Sequence, residues 1–161
     1  HFNPANPASH HRTAQEIVDD FGKDLKAVIC TTGTGGTISG LSKVLRKTIP
    51  GIAIIATEPD NSPILSKGVG CRHRIMGTAP GFIPDTLDQN SYDDIIPINA
   101  DQAIATSRRL AEREGIFCGI SCGAAVLGML DYAQRDVARD QQLLAILADT
   151  GERYLSTELW V

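Results

Sequence analysis

Short apolar runs rich in β-branched residues alternate along this chain with stretches whose apolar positions recur every three or four residues. Residues 27–30 (AVIC), 52–57 (IAIIAT) and 143–147 (LLAIL) are of the first kind. Near-continuous apolar runs of this length predict strands buried on both faces. Ile38, Leu41, Val44 and Leu45 follow the first run at helical spacing and predict a helix over 37–48, ended by Pro50 and Gly51. Upstream, Asn6 before Pro7 predicts a capped helix start. A second helical stretch over 13–20 presents Ile17, Val18 and Phe21 and stops at Gly22. A short helix is expected after Ser62 and Pro63. Residues 95–98 predict a further strand, and Pro97 puts it at an edge or an irregular position. Asn99 then caps a helix, with Gln102 as capping-box partner and Gly115 as its stop. Ala103, Ile104, Ser107, Leu110 and Ala111 form its buried face, and Arg108, Arg109, Glu112, Arg113 and Glu114 fall mostly on the solvated side. The last helix begins within 119–125 and runs on through Val126, Leu127, Met129 and Leu130.

Strands separated by single helices predict a parallel sheet with right-handed crossovers. The expected fold is α/β, a three-layer, open, mostly parallel sheet with helices on both faces. Residues 67–84 break the pattern, with Gly68, Gly70, Gly77 and Gly81 and no apolar period. A loop this long is usually functional or mobile rather than a plain connection.

Composition narrows the function classes. At 161 residues, 42% hydrophobic and 21% charged, the chain fits one globular domain. A net charge of −4 with few aromatics argues against nucleic acid or an anionic membrane as partner. No apolar run approaches the roughly 18 residues that would span a bilayer. The polar, proline-rich start does not read as a signal peptide. Cys30, Cys71, Cys118 and Cys122 include no C-x-x-C pair, so reduced cytosolic thiols are expected rather than a disulfide framework. His1, His10 and His11 crowd the start, but two adjacent histidines on a helix cannot face one metal as an i, i+4 pair can. No metal site is expected.

The chemistry concentrates after the first strand, where 28–40 reads VICTTGTGGTISG. Glycine lets backbone N–H groups approach a ligand closely, and a helix N-terminus adds unpaired donors and partial positive charge. Gly33, Thr34, Gly35, Gly36 and Thr37 therefore suit a phosphate, with Thr34 and Thr37 as hydroxyl donors. A dinucleotide fingerprint would need glycine where Ile38 stands, and a Walker A loop would need a lysine that does not follow. A tight turn without a ligand is the alternative.

The run from Gly33 to Thr37 resembles the GTGGT phosphate loop of the cysteine synthase (O-acetylserine sulfhydrylase) family, fold type II enzymes that use pyridoxal phosphate. NPANPA at 3–8, HRI at 73–75, GFIP at 81–84, GISCGAA at 119–125 and GERYLST at 151–157 resemble further family segments, in family order. They cover nearly the whole chain. The resemblance implies that residues 1–161 are the C-terminal, cofactor-binding half of such an enzyme, with the N-terminal half absent. It implies that Gly33, Thr34, Gly35, Gly36 and Thr37 hold the cofactor phosphate. Ser121, which alone would read as a helix N-cap, then hydrogen-bonds the pyridine nitrogen. Gly77, Thr78 and Ala79 fall in a substrate loop at the active-site mouth, where the sequence departs from the usual Gly-Ile-Gly-Ala. Cys122 stands where the family has a second serine, and Ala148 where it often has proline.

A serine at the ring nitrogen donates without demanding a protonated ring, whereas an aspartate would stabilise a strong electron sink. The implied chemistry is β-elimination from an activated serine such as O-acetylserine, then addition of sulfide to give cysteine. Such chemistry needs a Schiff-base lysine. Lys23, Lys26, Lys43, Lys47 and Lys67 are the lysines present, and none stands in the family's lysine context. No catalytic residue is therefore expected in this chain. The resemblance further implies a cytoplasmic homodimer, with serine acetyltransferase as a partner of the intact enzyme. The alternatives are another fold type II enzyme, such as a cystathionine β-synthase or a serine dehydratase, and, from a different class, a non-catalytic nucleotide- or phosphate-binding module.

Overall fold

A computed structural model describes residues 2–161; the His1 reading lies outside the described residues. Four strands form one parallel sheet: β1 (Leu25–Thr31), β2 (Ala53–Pro59), β3 (Asp94–Ile98) and β4 (Gln142–Ala145), in the order β3-β2-β1-β4. Helices α1 (Ala5–Ser9), α2 (His11–Phe21), α3 (Gly36–Thr48), α4 (Ile64–Lys67), α5 (Ala100–Glu114) and α6 (Ile120–Ala133) surround it. The parallel α/β architecture is as the apolar runs predict, and Pro97 sits on an edge strand, where its missing N–H costs no ladder bond.

Strand periodicity divides the core in two. Val28, Cys30, Ile54 and Ala56 point to one side and pack with Ala14 and Ile17 of α2 and with Ile38, Leu41 and Leu45 of α3. Ala27, Ile29 and Ile55 point to the other side and meet Ala103 and Ile104 of α5 and Ile120 and Ala124 of α6. Both strand faces are buried, which is why the runs are apolar throughout rather than alternating. Burial pushes the Cys30 thiol up to about 12, so that cysteine behaves as a small core hydrophobe.

Several local expectations are corrected. The first of the two Asn-Pro steps opens the chain's first helix: Asn3 Oδ1 accepts from the Ala5 N–H at 2.9 Å, and Pro4 holds the cap position. Asn6 and Pro7 lie inside α1. Helix α2 extends beyond 13–20 at both ends, and β4 covers Gln142–Ala145 rather than 143–147. Asn99 does cap α5, accepting from the Asp101 and Gln102 amides. Gly119, not Ser121, holds the cap position of α6. The N-cap reading of Ser121 therefore falls, and its hydroxyl is left for other use.

Helices α5 and α6 pack closely because Gly123 lacks a side chain. A Cβ there would overlap the Ala103 carbonyl oxygen and the Ser107 hydroxyl, and would sit 2.8 Å from the Ser107 amide. Gly123→Ala would gain roughly 1 kcal/mol of helix propensity but force backbone apart, an overpacking cost of about 1–3 kcal/mol. A net loss is expected, read as a lower midpoint in urea unfolding; an unchanged or raised midpoint would contradict the packing.

Candidate functional site

Chain direction creates a crevice where the strand order reverses. The link from β1 to β2 runs through α3 on one face of the sheet. The link from β3 to β4 runs through α5 and α6 on the other. Crevices outside the carboxyl ends of strands, at such switch points, are where open α/β sheets bind ligands. A cavity of about 260 Å³ lies there, lined by Thr31, Gly33, Thr34, Gly35, Thr37, Gly77, Ser121, Ala148 and Asp149.

One end of the cavity is the glycine turn. The amides of Gly33, Thr34, Gly35 and Thr37 donate to no protein acceptor among the described residues. Unpaired donors at a helix N-terminus make an anion site. Thr34 Oγ1 accepts from Asn6 Nδ2 at 3.0 Å and from the Gly36 amide at 3.3 Å, so its own proton remains to donate. Thr37 Oγ1 shares a hydrogen bond with His10 Nε2 at 3.3 Å, and burial lowers the His10 pKa. Gly36 does not line the cavity. It faces Asn6, whose side-chain amide occupies the space a Cβ would need.

The long loop after α4 clamps this turn. Thr86 Oγ1 donates to the Thr34 carbonyl at 2.6 Å, and the Ala79 amide donates to the Thr32 carbonyl at 2.8 Å. Gly35, at φ +79°, lies against Leu87, whose Cα would be 2.7 Å from an added Cβ. Gly77 reaches the cavity itself. Thr78 and Ala79 do not: the Thr78 hydroxyl donates to the Ile75 carbonyl at 2.7 Å, and His73 Nε2 meets the Ala79 carbonyl at 3.0 Å. Those two residues border a separate surface groove with Cys71 and Arg72.

Ser121 stands on the first turn of α6, buried, and no protein partner takes up its hydroxyl among the described residues. Asp149, on the segment after β4, is the one charged residue lining the cavity among the described residues. Its Oδ1 accepts from Cys122 Sγ at 3.2 Å, and its Oδ2 accepts from the Tyr154 hydroxyl. Asn6, Thr86, Leu87 and Tyr154 escaped sequence reasoning as site residues. Asp149 stands in the loop 149–151, which the family resemblance puts beside the cofactor ring, and it does line the cavity.

A larger, more open groove of about 640 Å³ lies along α3, bordered by Phe2, Pro7, Lys43, Lys47 and Asp88. It shares no residue with the cavity at the switch point and lacks its set of unpaired amides. Among the described residues no three His, Cys, Asp or Glu side chains group as a metal site, and no helix is long and apolar enough to cross a membrane.

Residues 1–149 match the family described as pyridoxal-phosphate dependent enzymes. A probable cysteine synthase of Bacillus subtilis is 45% identical over 162 residues, covering 98% of this chain and 52% of that protein. The O-ureido-L-serine synthase of Streptomyces lavendulae is 46% identical over 160 residues, covering 98% of this chain and 49% of that protein. The crystal structure of a cysteine synthase from Entamoeba histolytica superposes with a TM-score of 0.96 at 39% identity, over 99% of this chain and 47% of that one. The chain spans about half the length of the curated relatives it matches.

Proposed function

The chain belongs to the family of pyridoxal-phosphate dependent enzymes, and on that premise we propose that it supplies the cofactor-holding half of an enzyme that makes cysteine from O-acetylserine and sulfide. The observation that carries the reading is the pairing, across one cavity, of unpaired turn amides with an unpartnered serine hydroxyl. That donor set fits pyridoxal phosphate. An anionic phosphate suits the amides of Gly33, Thr34, Gly35 and Thr37 and the Thr34 hydroxyl. A neutral heteroaromatic nitrogen suits the Ser121 hydroxyl. When bound, the cofactor supplies an electron sink for expelling a β-leaving group.

The protein's part is orientation and exclusion. The amides at the start of α3 hold the dianionic end, with helical partial charge behind them. Gly33 lets the turn close against the Gly77 backbone with no side chain between them, and Gly77 supplies a positive φ there. Ser121 orients the far end and leaves that end uncharged. Gly77 is the one substrate-loop residue that reaches the cavity, so selection among amino-acid substrates starts there. Lysine and carboxylate-gripping groups come from outside residues 1–161 in this reading. It also carries a homodimer, a cytoplasmic setting and association with serine acetyltransferase. Leu143, Leu144 and Ile146, only half-buried at the sheet edge, would then be covered by the remaining chain.

Similarity to an O-ureido-L-serine synthase keeps a second β-replacement open, in which a nucleophile other than sulfide is added. The test is to supply the full gene product with pyridoxal phosphate, O-acetylserine and sulfide. Cysteine formation that disappears without the cofactor is expected. Absence of cysteine, or a faster product with another nucleophile, would reject the sulfide assignment.

A further inference from the structure

The wall of the cavity beside Ser121 holds a carboxylate as well as a hydroxyl. Asp149 lines the same space, and Cys122, which bonds it, is the next residue after Ser121. An accessible carboxylate here would compete with the serine for the ring nitrogen and draw a proton onto it, because opposite charge favours the charged form of a titrating group. Each oxygen of Asp149 accepts a side-chain hydrogen bond: Oδ1 from the Cys122 thiol and Oδ2 from the Tyr154 hydroxyl.

We propose that Tyr154 and Cys122 are positioning residues that hold the Asp149 carboxylate on the protein and away from the cofactor ring, so that Ser121 alone meets the ring nitrogen. The inference rests on the cofactor reading given above. Surrounding groups act on both arms of the clamp. Burial, followed by the bond to Asp149, pushes the Tyr154 hydroxyl up to about 12, so it remains a donor through neutral pH. Cys118, bridged through its backbone to Thr150, hydrogen-bonds Cys122; that bond lowers the Cys122 pKa, while burial and the Asp149 side chain raise it. Arg153 is the one cation acting on Tyr154, and its influence is the smallest of those on that hydroxyl. Gly119 completes the fit, since a Cβ there would overlap Asp149 Oδ1 and lie 2.8 Å from its Cγ. The carboxylate is thus packed against the start of α6 as well as bonded to it.

The full gene product, loaded with pyridoxal phosphate carrying ¹⁵N in the ring, tests this by the pH dependence of the ring-nitrogen chemical shift, without substrate. In the unaltered protein the shift is expected to stay at its unprotonated value through neutral pH. Tyr154→Phe frees Oδ2 and Cys122→Ala frees Oδ1. Each should raise the pH at which the ring protonates, by about 1–3 units, the range an opposite charge commands. Cys122→Ser, which keeps a donor, should behave as the unaltered protein. The double variant Tyr154→Phe, Asp149→Asn should return to the unaltered profile, because the carboxylate is gone. Unaltered profiles in both Tyr154→Phe and Cys122→Ala would overturn the proposal. If Tyr154→Phe fails to fold by circular dichroism, Cys122→Ala against Cys122→Ser decides alone. Failure of the unaltered protein to bind the labelled cofactor would overturn the cofactor reading itself, and is told apart because no variant is then needed.

Discussion

Replacing Gly33 by alanine should lower affinity for pyridoxal phosphate by about 10- to 100-fold while leaving the helical content of the chain intact. A Cβ on Gly33 would overlap the carbonyl oxygen of Gly77 and come within 3.4 Å of its carbon. Neither atom belongs to a side chain that can rotate away, so one of two backbone segments must move. Both segments line the cavity. Displacing the turn misaims at least one amide from the phosphate, and a hydrogen bond to a charged group contributes about 1.5–3 kcal/mol. At roughly 1.4 kcal/mol per tenfold, that loss sets the stated range. Helix α3 starts beyond the collision, at Gly36, so circular dichroism should not change. Fluorescence titration of the full gene product with the cofactor is the measurement. Affinity within about twofold of the unaltered protein would show that the turn does not carry the phosphate.

Gly33 illustrates which parts of the site were legible in the sequence. A strand, a glycine turn and a helix lie within one short stretch, and local chemistry sufficed to read them: β-branched residues for β1, Gly33, Gly35 and Gly36 for close backbone approach to a ligand, apolar spacing for α3. The sheet followed because Val28 and Cys30 must face one layer while Ala27 and Ile29 face the other. What could not be read were contacts between distant segments. Asn6 supports Thr34 from 28 residues away, and Thr86 holds the Thr34 carbonyl from 52 away. Neither side chain has a local pattern that announces its partner. The Cys122 arm of the Asp149 clamp is of the same kind, reaching across 27 residues, whereas Tyr154 is only five residues from Asp149. Cap positions slipped for a different reason. Two Asn-Pro steps compete at the start, and the structure uses Asn3, whose side chain reaches the Ala5 amide.

Isolated as residues 1–161, the chain should bind pyridoxal phosphate weakly through its phosphate and form no borohydride-stable link to any lysine. None of the five lysines lines the cavity. Lys23 lies in the turn before β1 and Lys26 early in that strand, at the end of the sheet opposite the glycine turn. Lys43 and Lys47 border the groove along α3, beyond its first turn. Lys67 ends α4, exposed. A Schiff base requires the amine to reach the carbonyl carbon of the cofactor and to be at least partly deprotonated. Lys43 and Lys47 are exposed and lie outside the cavity. The turn, by contrast, is local in sequence, and its Gly33, Thr34, Gly35 and Thr37 amides have no partner among the described residues. Phosphate affinity should therefore outlast loss of the chemistry. The experiment adds cofactor to the isolated chain, records the absorption spectrum, reduces with borohydride and maps adducts by mass spectrometry. Expected are an unshifted cofactor band, no adduct concentrated on one lysine, and competition of binding by inorganic phosphate. The full gene product should give a shifted band and a single modified lysine outside residues 1–161. A stoichiometric adduct on one of the five lysines named here, with cysteine formed from O-acetylserine and sulfide, would overturn the prediction and place the catalytic amine within this half.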